Sequence, residues 1–132
     1  MRQQFLLPEA DREFLHASGM VWETIVEGGS QWLLLHAFNI PPGYNQQQAT
    51  VALQILPGYP DVQLDMVWFS PALHRLDGRP IGALRGQDID GKPYQRWSRH
   101  RTAQNPWRPG EDDLSTHLLL VSHWLERELL RG

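Results

Sequence analysis

Apolar and polar positions in the first half of the chain alternate with the period of a β-sheet, after one short helical stretch. Residues 7–19 place Pro8 in a first helical turn, acidic residues behind it where the helix dipole favours them, and Gly19 at the exit; they predict a short helix. Three runs rich in Val, Ile, Leu, Trp and Thr follow, at 21–27, 31–40 and 48–56, and each predicts a strand. Gly28-Gly29-Ser30 is a hairpin signal between the first two, and Pro41-Pro42-Gly43-Tyr44-Asn45 is a turn between the second and third. In the third run Thr50, Ala52, Gln54 and Leu56 alternate with Val51, Leu53 and Ile55, as in a strand with one buried face. Connections this short favour an antiparallel meander. A fourth run, 62–69, follows Pro57-Gly58-Tyr59-Pro60 and ends at Ser70-Pro71.

From there to Gly110 the periodicity dissolves. This stretch holds two Asp-Gly pairs (Asp77-Gly78 and Asp90-Gly91) and several prolines, and it reads as a long loop of the kind usually kept for function. Ile81, Leu84, Tyr94, Trp97 and Trp107 within it argue for an ordered loop packed on the body. An amphipathic helix closes the chain, capped by Asp112 or Asp113, with Leu114, Leu118, Val121 and Leu125 at helical spacing. The expected fold is α+β: an N-terminal helix, a four-stranded antiparallel meander, a long ordered active-site loop and a C-terminal helix, in a single domain spanning 1–132.

Composition narrows the function classes. The chain has 132 residues, 41% hydrophobic and 20% charged, which suits a packed core and argues against disorder. A net charge of −3 is not that of a general nucleic-acid binder. No apolar run reaches the length of a membrane span, and the N-terminus lacks the pattern of a secretory signal, so the cytoplasm is the expected location. There is no cysteine, which removes disulfides, thiolate metal sites and thiol nucleophiles together. No cofactor is expected. His117 and His123 stand six apart on the last helix, off the spacing of a helical metal pair, so no metal site is expected either.

Candidate chemistry concentrates in Lys92-Pro93-Tyr94-Gln95-Arg96-Trp97-Ser98-Arg99-His100-Arg101. Of the twelve Lys and Arg residues, five fall between positions 92 and 108, and Lys92 is the only lysine. Such a segment suits an anionic partner, a carboxylate tail or a nucleic-acid backbone. The alternative is a surface loop whose arginines pair with Asp88, Asp90 and the acids from Glu111 to Asp113. Ser98 and His100 form the one close hydroxyl–imidazole pair of the loop, the combination a serine nucleophile needs near neutral pH. Asp65, among apolar neighbours, either faces water or orients something in the loop.

Several motifs carry a resemblance. They are Leu56-Pro57-Gly58-Tyr59-Pro60-Asp61, the run Leu64-Asp65-Met66-Val67-Trp68-Phe69-Ser70-Pro71, the block Gln95-Arg96-Trp97-Ser98-Arg99-His100-Arg101, and Trp107-Arg108-Pro109-Gly110 leading into Asp113-Leu114-Ser115-Thr116-His117-Leu118. With the order of elements, they resemble the ubiquitin-conjugating (UBC-like) fold, and more closely the prokaryotic ubiquitin-conjugating-like family E. The resemblance implies transfer of a ubiquitin-like modifier, with an adenylating activating enzyme and the modifier as partners and a JAB-type peptidase in the same pathway. Conjugating enzymes of this kind carry the modifier on a cysteine upstream of a Trp-x-Pro landmark. Here Trp107-Arg108-Pro109 supplies the landmark, and nine residues before Trp107 stands Ser98. The family's His-Pro-Asn is replaced by Ser70-Pro71-Ala72.

Two readings follow from the resemblance. Ser98 accepts the modifier's C-terminus as an oxyester, with His100 as base and Arg99 or Arg101 holding the oxyanion. Alternatively, the protein is an inactive scaffold for the modifier or the activating enzyme. The first helix of a UBC fold commonly meets the activating enzyme, which makes Arg12, Glu13 and His16 contact candidates.

Overall fold

The computed structural model describes residues 1–131. Along the chain run α1 (Glu9–Ser18), β1 (Val21–Glu27), β2 (Ser30–Asn39), β3 (Gln48–Ile55), β4 (Val67–Ser70), β5 (Leu84–Ile89), β6 (Lys92–Trp97) and α2 (Leu114–Leu129). The strands form one antiparallel sheet in the order β1-β2-β3-β4-β6-β5. Both helices end as their sequences dictate. Gly19 closes α1 in the left-handed conformation at φ 71°. At the start of α2 the Asp113 carboxylate accepts from the Thr116 amide while the Thr116 hydroxyl accepts from the Asp113 amide.

The helix–meander–helix plan holds, but the sheet has six strands and not four. The extra pair comes from the stretch expected as loop. β5 and β6 form a hairpin around Asp90-Gly91, whose φ angles of 55° and 70° are those of a turn with both central residues left-handed. β6 then inserts between β4 and β5. The fourth strand is also shorter than expected: pairing begins at Val67, and residues 62–66 are irregular.

The pleat gives the sheet two buried faces. On one, Leu33, Leu35, Val51, Leu53, Val67, Phe69 and Trp97 pack against Leu15 of α1 and Leu114, Leu118, Val121 and Leu125 of α2. On the other, Ile25, Trp32, Leu34, Ala52, Trp68, Ile89 and Tyr94 form a second cluster made of strand residues alone. No helix contributes to that cluster. It is buried because the sheet curls. Laid flat, six strands would hold their outer edges roughly 24 Å apart; here the Asp90 amide, at the β5–β6 turn, donates to the Glu27 carboxylate at the end of β1. Arg2 clasps the same gap, with Nε on Glu23 at 2.6 Å and Nη2 on Asp90 at 2.6 Å.

Candidate functional site

The site grows from the end of β6. Trp97 is fully buried; its indole N–H donates to Gln95 Oε1 at 2.9 Å, and its ring meets Phe69 edge-on at 5.4 Å. That anchor fixes where the chain leaves the sheet. The Ser98 amide still donates to Ala83 O (3.0 Å), but the Arg99 amide turns back to Trp97 O (2.9 Å), closing a three-residue turn centred on Ser98. Ser98 is half-buried, and its hydroxyl makes no hydrogen bond among the described residues.

Beyond the turn, residues 99–101 lie along the irregular stretch 64–66 and are zipped to it. The Met66 amide donates to Arg99 O (3.1 Å), Arg101 Nε donates to Leu64 O (3.1 Å), and between these bonds His100 Nδ1 meets Asp65 Oδ2 at 2.7 Å. Asp65 is thus the residue that orients a loop group, and the group is His100. With a carboxylate at Nδ1, that nitrogen carries the proton and a neutral ring keeps its Nε2 lone pair. The His100 side chain is 62% exposed against 20% for Asp65, so the ring is held from below and open on its outer side. Asp65 Oδ1 is buried without a hydrogen-bond partner. A base oriented by a carboxylate is the arrangement general-base chemistry needs. Ser98 and His100, two residues apart, share no hydrogen bond in this state.

The two arginines face inward. Arg99 stacks over the Trp97 ring at 4.8 Å, donates to Gly82 O, and forms an ion pair with Glu128 of α2 at 3.0 Å. Arg101 stacks over Trp107 at 4.6 Å and donates from Nη2 to His117 Nδ1 at 2.9 Å. His117, buried on α2, uses its other nitrogen to donate to Met66 O at 3.0 Å. Burial, with the Arg101 charge adding to it, pushes the imidazole down to about 4, so the ring is neutral and both nitrogens are used. Met66 sits at φ 60°, a conformation non-glycine residues rarely take, and is held there by His117 on its carbonyl and Arg99 on its amide. Nothing in the spacing of His117 announces this role, because its partners stand 16 and 51 positions away.

The alternative, in which the loop arginines pair with Asp88, Asp90 and Glu111 to Asp113, does not form: among the described residues Asp90 binds Arg2, Asp112 accepts from the Arg108 amide, and Arg99 reaches Glu128. Lys92 is exposed at the start of β6, six residues and roughly 20 Å of strand from Ser98. On α1, Glu13 and His16 are exposed, while Arg12 is half-buried and donates to Leu7 O.

The remaining motif residues form the footing. Gly58 stands at φ 91°, and a Cβ there would meet Val62 Cγ2 at 2.8 Å, so the Pro-Gly-Tyr-Pro turn requires glycine. Tyr59 donates to the buried Asp11 carboxylate of α1, which also accepts from the Leu114 amide at the start of α2. Trp107 Nε1 donates to Pro60 O at 3.0 Å. The turn, the Trp-x-Pro landmark and the starts of both helices are therefore tied together, and Arg101 rests on this group through Trp107.

No helix is long and apolar enough to cross a membrane among the described residues. No curated protein matches the chain, and no solved structure does. A family model, prokaryotic E2 family E, matches residues 7–128, a span holding α1, all six strands, α2 up to Glu128 and every residue of the site just described. The chain belongs to that E2-like family, and its place is in ubiquitin-like conjugation, in company with a ubiquitin-like modifier and its activating enzyme.

Proposed function

We propose that the protein carries a ubiquitin-like modifier as an oxyester on Ser98. The Asp65–His100 pair supports this reading most strongly, because it supplies an oriented base two residues from a hydroxyl that has no partner among the described residues. In the transfer step Ser98 Oγ attacks the carbonyl carbon of the modifier's activated C-terminus. The new C–O bond forms, the bond to the activating enzyme's leaving group breaks, and the hydroxyl proton passes to His100 Nε2. Serine is a far weaker nucleophile than a thiolate at neutral pH, so a base is required where a cysteine enzyme needs little help. Catalytic hydrogen bonds often tighten only when substrate is bound, and the transfer step requires a Ser98–His100 bond of that class. Arg99 and Arg101 act as positioning residues that fix the 98–101 segment. Either guanidinium must leave its present bonds before it can reach an oxyanion at Ser98. A JAB-type peptidase in the same pathway would remove the modifier from its target.

A second reading, an inactive scaffold that binds the modifier or the activating enzyme, draws on the occupied arginines and the absent Ser98–His100 bond. Quenched time courses of covalent modifier uptake separate the two. As a carrier, the wild type takes up the modifier, and His100→Gln slows the uptake by about a hundredfold or more. Binding of both partners with no covalent uptake at any time identifies the scaffold.

A further inference from the structure

Next to His100 the surface becomes strongly basic. Two adjoining hollows, of about 180 and 380 Å³, share Glu128 and Arg131 in their walls and form one trough around the C-terminal end of α2. Arg75, Arg79, Arg99, Arg127 and Arg131 line it, five of the twelve Lys and Arg residues of a chain whose net charge is −3.

Among the described residues the carboxylates lining or flanking the trough are Glu128 and Asp77, and both are already engaged. Arg75 is buried, caps the last carbonyls of α2 at Glu128 (2.7 Å) and Leu129 (3.3 Å), and holds Asp77 at 2.6 Å. Glu128 is paired with Arg99 at 3.0 Å and lies 3.6 Å from Arg75. Arg79 reaches Asp77 only at 4.0 Å. Arg127 and Arg131 are exposed, and among the described residues neither side chain makes an ion pair or a hydrogen bond. The helix C-terminus accounts for Arg75 and favours a cation at Arg127 in its last turn. It supplies neither Arg127 nor Arg131 with a carboxylate among the described residues.

We propose that this trough docks an acidic polypeptide segment of a partner protein, with Arg127 and Arg131 taking its carboxylates. Guanidinium forks suit carboxylates, and the floor formed by Arg75, Glu128 and Arg99 is rigid before anything binds. A peptide fits better than a nucleic acid because the basic surface stops at the end of one helix. A longer polyanion would run onto a molecule that is acidic overall. The proposal goes beyond the transfer reading and does not depend on Ser98 accepting anything.

The test is fluorescence anisotropy with a labelled oligoglutamate peptide, titrated at low and at high salt. Labelled oligothymidylate serves as the competing probe. The peptide binds the wild type, high salt weakens it, and the Arg127→Glu/Arg131→Glu double variant loses about tenfold in affinity. Arg85→Glu, at an exposed position of β5, binds as the wild type does. Absence of salt-sensitive peptide binding overturns the proposal, as does equal binding by wild type and double variant, equal loss in Arg85→Glu, or tighter binding of the oligonucleotide. Thermal melting of the double variant, altered only at exposed positions, shows that a loss of binding is not a loss of fold. Neither ATP nor an activating enzyme is present, so a failure here leaves the transfer reading as it stood.

Discussion

His117 carries more of the site than its place on α2 would suggest. Its two nitrogens tie Arg101 to Met66, and through them the 64–66 and 99–101 segments that bring Asp65 to His100. A proton on Nδ1 would set a second donor against the Arg101 guanidinium. The unfolded chain takes that proton near pH 6.5, the folded chain only near pH 4. Between these values the unfolded state binds more protons, so this contribution is complete above pH 6.5 and is lost as pH falls toward 4. Its full size is roughly 3 kcal/mol. Urea unfolding of wild type and His117→Gln across this range should show the stability gap shrinking by about that amount as the pH is lowered. A gap that stays constant would mean that the ring is not held neutral by its surroundings.

The β5–β6 hairpin turns what sequence reading gave as a long loop into the wall that presents Ser98. Its turn demands left-handed backbone at Asp90 and Gly91, whereas Gly86, inside β5, has ordinary strand geometry and open space around its Cα. Gly91→Ala should therefore cost about 1 kcal/mol, and Gly86→Ala nothing or a slight gain, in matched urea titrations. Equal effects at the two positions would contradict the turn assignment. The same hairpin marks where sequence legibility stops. β1 to β3 could be read because each carries a run of apolar residues bounded by turn signals. β5 could not: Leu84-Arg85-Gly86-Gln87-Asp88-Ile89 lies at the sheet edge, exposes Arg85, Gly86 and Asp88, and so shows little apolar alternation. The Asp90-Gly91 signal was in plain view, but without flanking alternation it carries little weight. At the site, the Trp-Ser-Arg-His-Arg block can be located from the motif alone. Its partners cannot, since Asp65 lies 35 positions from His100 and Glu128 lies 29 from Arg99.

For the molecule as a whole, the curl of the sheet buries Trp32 and Trp68 without a covering helix, their rings edge-to-face at 4.8 Å. The Glu23 carboxyl at this seam would be raised by burial, but the bonds from His36 and Arg2 hold it below its ordinary range; the bond from Arg2 likewise holds Asp90 down. Arg2→Ala removes the clasp on both acids. The expected result is a lower urea midpoint and greater acrylamide quenching of tryptophan emission, and unchanged quenching would show that the sheet stays curled without the clasp. On the opposite face, α2 braces the 98–101 segment through Glu128 and His117. The central claim is that Ser98 carries the modifier. The most direct measurement is intact-mass spectrometry of the protein after incubation with its activating enzyme, modifier and ATP, comparing wild type with Ser98→Ala. The account predicts an alkali-labile adduct on the wild type, lighter by one water than the sum of the two chains, and none on Ser98→Ala. An adduct of equal yield on the variant, or none on the wild type while both partners bind, would contradict it.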